Sequence, residues 1–504
     1  MKKDIVKSSL TGIVQFIVST LLVLITIPVF VRICGMEQYG VFSLISIVGS
    51  VNTFANLGLN TSLVRFLAKQ GKTNESTYDI IANLVILFSI IIPICFCGFI
   101  FKEWILVKVF NVPLYLMPQS VWLFSAMLVG NIFILIGQTF TAILESQQKI
   151  YLTNMYQMIY NVLYWGLILI ILLIEPSLKL IGLVMLIASM VWFCIVSISA
   201  MRIWNGISIK RPTLREFSLS AKKQLAYGLQ IYLSGVINFF YEPLTKIFVA
   251  NYLGVSAVGF YDIGLKVRSQ VMGLATKSIY PLYPTLAQIE DQKVNRFIIH
   301  DVEQKLVLVA LPIIAIIILT SYAIVSLFFK INVIILSVTI ASIVSSYLIG
   351  SLPFIPVYLF LLAKGYASKT IIIQATNVIV NIAIILLCVS AIGYYSVVIA
   401  NALAILSSGV VCLYYQKKYL DSLIFDSYKS FIRVLLVFII SFLAGFVVIT
   451  FIKSTIWTLT MGPIVVLIIC ILLYKYWSIL NKDDVIRYFG KNNLWSKIVI
   501  RTLF

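Results

Sequence analysis

Histidine is almost missing from this chain: His300 is the sole copy among 504 residues. Charge is scarce too, with Asp, Glu, Lys and Arg together making up 11%. One histidine cannot supply a histidine-based metal site, and triad or imidazole acid–base chemistry is close to excluded. His300 reads as a solvated loop residue near a helix start. The seven cysteines (34, 95, 97, 194, 388, 412 and 470) stand singly or as one C-x-C inside apolar runs, suggesting neither a disulfide framework nor a metal cluster. A phosphate loop is lacking as well. "QGKT" at 70–73 would need glycine at 66, where Phe66 stands, and it follows an apolar helix rather than a strand. The expectation is a protein that is not an enzyme and takes no cofactor or metal.

Apolar residues fill the space left by these shortages, at 61% of the chain and a mean hydropathy of +1.05. Runs such as "LLVLITIPVFV" and "IVVLIICILLYKYW" belong to segments of about 20 residues, long enough to cross a hydrocarbon core of roughly 30 Å as helix. Barrel strands would be about half that length. The pattern predicts an all-α integral membrane protein with about 14 spans, near 9–31, 40–63, 79–101, 119–142, 151–174, 179–201, 224–250, 256–283, 306–329, 333–363, 370–391, 394–415, 431–452 and 456–477. The first follows "MKK" but is too long for a signal peptide and lacks a small-residue cleavage site, so it is kept as a span.

Basic residues give the orientation. Roughly three-quarters of the 38 lysines and arginines fall on the N-terminus, the C-terminus and every second connection, which predicts that both termini are cytoplasmic. The formal net charge of +20 is then mostly orientation, with no nucleic-acid partner implied. Four bases depart from the rule: Lys246, Lys266, Arg268 and Lys277 lie inside helices seven and eight.

An internal repeat is also expected. "ICGMEQYGVF" (33–42) and "YLGVSAVGFY" (252–261) share G-x-x-x-x-G-x-[FY], and Asn154, Gln157 and Asn161 match Gln374, Asn377 and Asn381 in spacing. Six spans per half is an even number, giving parallel repeats with a transport site between lobes. The resulting division is a six-helix lobe over 1–201, a cytoplasmic linker over 202–223, a second six-helix lobe over 224–415, and two additional helices with a cytoplasmic tail over 416–504. Prolines 281, 284, 353 and 356 are expected to break or bend helices eight and ten.

Polar residues align along helix faces. Asp262, Lys266, Ser269, Gly273, Thr276, Lys277 and Tyr280 fall on one face of helix eight, and Ser234, Asn238, Tyr241, Glu242, Thr245 and Lys246 on one face of helix seven. Helix four carries Asn131, Gln138 and Glu145 at heptad spacing; Gln15, Ser19 and Thr26 in helix one and Asn52, Asn56 and Asn60 in helix two are neutral counterparts. Charges at such depth face a bundle interior or a wet cavity, because lipid would cost several kcal/mol for each. Glu242–Lys246 and Asp262–Lys266 have the i, i+4 acid-before-base spacing of internally neutralised struts. Two acids against four bases still leave a positive excess, which suits an anionic substrate group. Amides and tyrosines in these stripes also suit plain interhelical bonding.

The stretch "TIPVFVRICGMEQYGVFSLI", followed by "ANLGLNTSLVRFLAK" and later by "YLGVSAVGFYDIGLKV", resembles the polysaccharide-transporter proteins, the oligosaccharide-lipid flippases of the multidrug/oligosaccharidyl-lipid/polysaccharide exporter superfamily. The resemblance covers nearly the whole chain. It implies two six-helix lobes around a central cavity plus two C-terminal helices, in the bacterial cytoplasmic (inner) membrane. The implied activity is movement of an undecaprenyl-diphosphate-linked sugar repeat unit, for O-antigen, capsule or another surface polysaccharide, from the cytoplasmic to the outer leaflet. Implied partners are the lipid-linked oligosaccharide, membrane lipids, and a polysaccharide polymerase with other export machinery. Carried onto this chain, the anion-binding role falls to Lys246, Lys266 and Lys277, with Arg268 and Asn238 on the same two helices and Arg65 and Arg32 as weaker candidates. Glu242, where many relatives have aspartate, and Asp262 are the candidates for ion coupling. The rivals are a lipid II flippase or multidrug exporter of the same superfamily, and a polysaccharide polymerase. A multidrug exporter commonly relies on an acid in its first helices, and helix one has none between Asp4 and Glu37. A polymerase is expected to carry a large basic external loop, and every external connection here is short.

Overall fold

A computed structural model describes residues 2–204, 212–279, 289–421, 428–452 and 454–477, together with 282, 286 and 479. Helices account for nearly all of it, and no strand occurs among the described residues. That outcome follows from the solvent: within hydrocarbon only a helix or a closed barrel satisfies its own backbone.

The chain forms two compact units, Met1–Asp262 and Ile263–Phe504. In the first, α1 (Lys2–Ile45) is kinked at Gly35 and followed by α2 (Ile47–Asn56), α3 (Leu59–Gln70) and α4 (Asn74–Ile100). Next come α5 (Met117–Ser146), α6 (Ile150–Asn161), a π-helical turn (Val162–Gly166), α7 (Leu167–Ile174) and α8 (Leu178–Trp204). The unit closes with α9 (Leu214–Leu253) and the first turns of α10 (Val255–Ile279). The second unit takes the rest of α10, then α11 (Gln292–Phe328), α12 (Val333–Gly350) and α13 (Ile355–Ala363). It ends with α14 (Ala367–Ile392), α15 (Tyr395–Leu420), α16 (Tyr428–Phe451) and α17 (Thr455–Tyr476).

Among the described residues, eleven helical stretches are long and apolar enough to cross a membrane. They coincide with all the predicted spans except two, seven and eight. The expected span 40–63 is not one helix: Leu57 and Gly58 both have positive φ and separate α2 from α3. Spans seven and eight are the helices α9 and α10, whose polar stripes lower their hydropathy. The prolines act as expected where described, since Pro353 and Pro356 sit where α12 ends, a 3-10 turn intervenes and α13 begins. Pro281 and Pro284 lie outside the described residues.

His300 requires a correction. It is half-buried inside α11, not in a loop, because that helix starts well before its apolar run, with Asp291 accepting from the Lys293 amide at 2.8 Å. A capping box starts α9: Thr213 Oγ1 accepts from the Glu216 amide at 3.3 Å and the Glu216 carboxylate accepts from the Thr213 amide at 2.7 Å. These bonds hold the Glu216 carboxyl below its ordinary value.

Large apolar side chains such as Phe96, Leu173, Ile174 and Leu387 are exposed, as a lipid-facing surface requires. Lipid is as apolar as leucine, so contact between helices depends on close packing and interhelical hydrogen bonds. In the first unit α5 and α8 meet through small residues: Gly137 lies against the Trp192 ring and Gly130 against Ser189. Around this seam Leu63, Leu67, Ile143, Leu144 and Val196 form a core. In the second unit α16 and α17 pack on α11 through Leu308, Leu319, Val437 and Val466, and the Tyr474 hydroxyl donates to the Leu308 carbonyl at 2.7 Å.

Candidate functional site

The repeated glycine motif builds the first part of the site. Gly35 (φ 82, ψ 167) and Gly254 (φ 83, ψ 168) adopt the same backbone conformation, open to glycine at little cost. Five residues after each comes a second glycine. A Cβ on Gly40 would lie 1.8 Å from the Val255 carbonyl oxygen, and one on Gly259 would lie 2.9 Å from that of Met36. The contact is reciprocal, since Met36 and Val255 hold equivalent places in the two motif copies. Gly40→Ala is therefore expected to destabilise the fold by about 1–3 kcal/mol through overpacking. Thermal melting of the detergent-solubilised protein checks this, and an unchanged midpoint would contradict the close approach.

That approach brings Tyr39 to Asp262. The Tyr39 hydroxyl donates to Asp262 Oδ2 at 2.6 Å, and Lys246 Nζ donates to Oδ1 at 2.5 Å. All three are buried, with Tyr39 at 0%, Asp262 at 2% and Lys246 at 8% exposure. Burial at that level makes the ion pair costly to split, because either charge alone would be stranded. The i, i+4 spacing suggests partners within one helix; the structure gives Asp262 a partner on each of two other helices, α1 and α9. Sequence reasoning missed Tyr39. The only signal for it was its place beside Gly40 in the motif.

The other candidates are dispersed. Lys266 is half-buried one turn beyond Asp262 on α10, and Glu242 is half-buried one turn before Lys246 on α9. Arg268 is 9% exposed and lies close enough to Tyr347 of the second unit for its charge to act there. Arg32 and Arg65 are exposed. The side chains of Asn238 and Lys277 lie outside the described residues.

The neutral stripes converge inside the first unit. Asn52 donates to Asn131 at 3.2 Å, and Asn131 donates to the Val48 carbonyl at 2.7 Å. Asn56 and Asn60 both donate to Gln138 Oε1, at 2.8 and 3.0 Å. Asn161 reaches Ser19 at 2.5 Å, and Asn154 reaches the Ser8 carbonyl at 2.9 Å. Most of the amides thus serve as interhelical bonds. Around Gln138, Thr141 and Glu145 the packing opens into two adjoining hollows of about 350 and 500 Å³. Arg65 lines the second.

Two buried contacts had no signal in the sequence. Lys223, in the third turn of α9, donates to Asp79 at 2.8 Å, while its neighbour Gln224 donates to the Asp79 carbonyl and accepts from Asn83. In the second unit Gln416 donates to the fully buried Glu303 at 2.6 Å. No group of three or more histidines, cysteines or acids that could hold a metal occurs among the described residues.

Solved structures share this fold. The chain matches the inward-closed lipid II flippase MurJ with a TM-score of 0.72 at 15% identity, covering 93% of this chain and 98% of that one. It matches an inward-facing multidrug-resistance MATE family transporter with a TM-score of 0.61 at 16% identity, covering 81% and 98%. The class of fold is thus the many-helix membrane architecture shared with these two solved proteins. Residues 5–290 match the family described as "Polysaccharide biosynthesis protein", and the chain belongs to that family. A Shigella flexneri protein named "Putative O-antigen transporter" is 22% identical over 415 residues, covering 80% of this chain and 95% of its own length.

Proposed function

We propose that this protein is a flippase carrying an undecaprenyl-diphosphate-linked oligosaccharide repeat unit from the cytoplasmic to the outer leaflet by alternating access. The observation that carries the reading is the family match over residues 5–290, joined by similarity to an O-antigen transporter along 95% of that protein's length. The charge placement supports it: bases sit within α9 and α10, at depths where lipid would not tolerate them. A diphosphate is the anion they would meet.

Within that proposal Lys266, half-buried on α10, makes the first contact, and Lys246 is held against Asp262. Lys277, Arg268 and Asn238 belong to the same two helices, with Arg65 and Arg32 as peripheral bases. Asp262 and Glu242 are the proposed ion-coupling acids: protonation of Asp262 would release Lys246 toward the anion. Exit of an anionic headgroup from a negative-inside cell is favoured by about 2.3 kcal/mol per charge per 100 mV, so no ATP site is required.

Deletion of the gene tests the reading. The expected result is loss of one surface glycan, with its lipid-linked repeat unit retained on the cytoplasmic leaflet. Normal surface glycan would refute the proposal, and a single unit exported but left unpolymerised would favour a polymerase.

The orientation has its own test, motivated by the asymmetry of basic loops. In a background without native cysteines, a cysteine placed in the 202–223 connection should react with an impermeant reagent only after permeabilisation. One placed at 251–256 should react in intact cells. The reverse pattern would overturn the cytoplasmic placement of the termini.

A further inference from the structure

We infer that the paired hollows of the first unit form a saccharide subsite, with the Glu145 carboxylate as its central acceptor. The inference rests on the flippase reading and adds where the sugar, as distinct from the diphosphate, is recognised.

The heptad stripe of α5 carries the first observation. Asn131 and the Gln138 carbonyl oxygen are engaged in bonds to α2 and α3, but Glu145, the third member, behaves differently. It lines both hollows, and its carboxylate has no hydrogen bond or ion pair among the described residues. A carboxylate kept partly out of water without a partner costs stability and is poor interhelical glue. The cost is explained if something else donates to it.

The surrounding groups specify what that donor is. Gln138 Oε1 already accepts from Asn56 and Asn60, which leaves the Gln138 amide hydrogens available. Asn154 spends its amide hydrogens on Ser8 and Thr11 and Gln157 donates one of its two to Asn161, leaving both carbonyl oxygens as acceptors. Trp192 lines the smaller hollow and is 5% exposed, and its indole N–H is buried with no acceptor. The hollows therefore offer the Glu145 carboxylate, neutral acceptors on Asn154 and Gln157, the Gln138 amide as donor, the Arg65 guanidinium at the second hollow, and the Trp192 ring at the first.

A dehydrated cation would need several oxygens converging on one point and has no use for a tryptophan wall or amide donors. A pyranose ring fits each part. Its hydroxyls donate to the carboxylate and amide oxygens and accept from N–H groups, and its C–H face packs on aromatics. Hollows of about 350 and 500 Å³ are the size of small-molecule sites.

The test uses full-length protein in nanodiscs and two probes: bare undecaprenyl diphosphate, and the same lipid bearing the repeat unit, extracted from the source organism's membranes. Wild type should bind the sugar-bearing lipid more tightly. Glu145→Gln should remove roughly tenfold or more of that advantage, the scale of a hydrogen bond to a charged group, and leave binding of the bare lipid unchanged. Glu145→Asp, which keeps the carboxylate, should retain part of the advantage. Equal binding of both lipids by wild type would overturn the inference while leaving the flippase reading intact. So would a full advantage in the Glu145→Gln variant, or an equal loss for both lipids. Failure of wild type to bind either lipid would instead sink the flippase reading, and the subsite with it.

Discussion

Lys246→Met is expected to leave little folded protein in the membrane. The substitution removes the ammonium 2.5 Å from Asp262 and leaves a carboxylate that is 2% exposed with Tyr39 still donating to its other oxygen. Breaking one side of a buried ion pair costs about 3–5 kcal/mol, because the remaining charge is stranded in a poorly solvating place. That is a large fraction of the roughly 5–15 kcal/mol that separates a typical folded domain from its unfolded state. Lys246→Met with Asp262→Asn should recover most of the loss, since the stranded charge is gone and Tyr39 keeps an acceptor. Monodisperse yield by size exclusion and the melting midpoint are the readouts. A double variant no more stable than the single one would show that the buried pair is not what makes Lys246 necessary. Export by the recovered double variant then decides the second question. A protein that folds but does not transport places the pair in the cycle; full transport removes both residues from the proposed site.

The second large effect is expected at Lys266. Lys266→Gln should lower export by roughly tenfold or more if the ammonium meets a diphosphate, the scale of one charge-assisted hydrogen bond. Lys266→Arg should keep much of the activity, because a cation remains. Lys266→Glu should be the worst of the three: it repels the anion and sits four residues from Asp262, where a like-charge pair is unfavourable. Export must be compared at matched membrane abundance. Equal activity of the Gln and Glu variants with wild type would remove Lys266 from the substrate path.

Legibility in the sequence followed range. Features set by local chemistry were readable: apolar runs became helices, Pro353 and Pro356 interrupted one of them, and Gly35 and Gly254 took the same positive-φ turn. The break at Leu57 and Gly58 was not readable, because nothing in a run of polar and apolar residues shows that the backbone will turn left-handed at a leucine. His300 was misplaced because helices here run beyond the apolar segment, where the sequence looks like loop. Stripes of asparagine and glutamine marked faces that bond to neighbouring helices. Which amide would bond and which acid would stay open depended on how α2, α3, α5 and α6 meet. Partners far apart in sequence, such as Tyr39 with Asp262 or Asp79 with Lys223, exist only once the helices pack.

Reconstitution of the purified protein in liposomes tests the central proposal most directly. Lipid-linked oligosaccharide is loaded, and the fraction open to an impermeant sugar-cleaving enzyme added outside is followed over time. The proposal predicts that the protein, without ATP, makes the inner-leaflet pool accessible, and that a vesicle interior made negative speeds the change. A pool that stays protected at the rate of protein-free vesicles would contradict it.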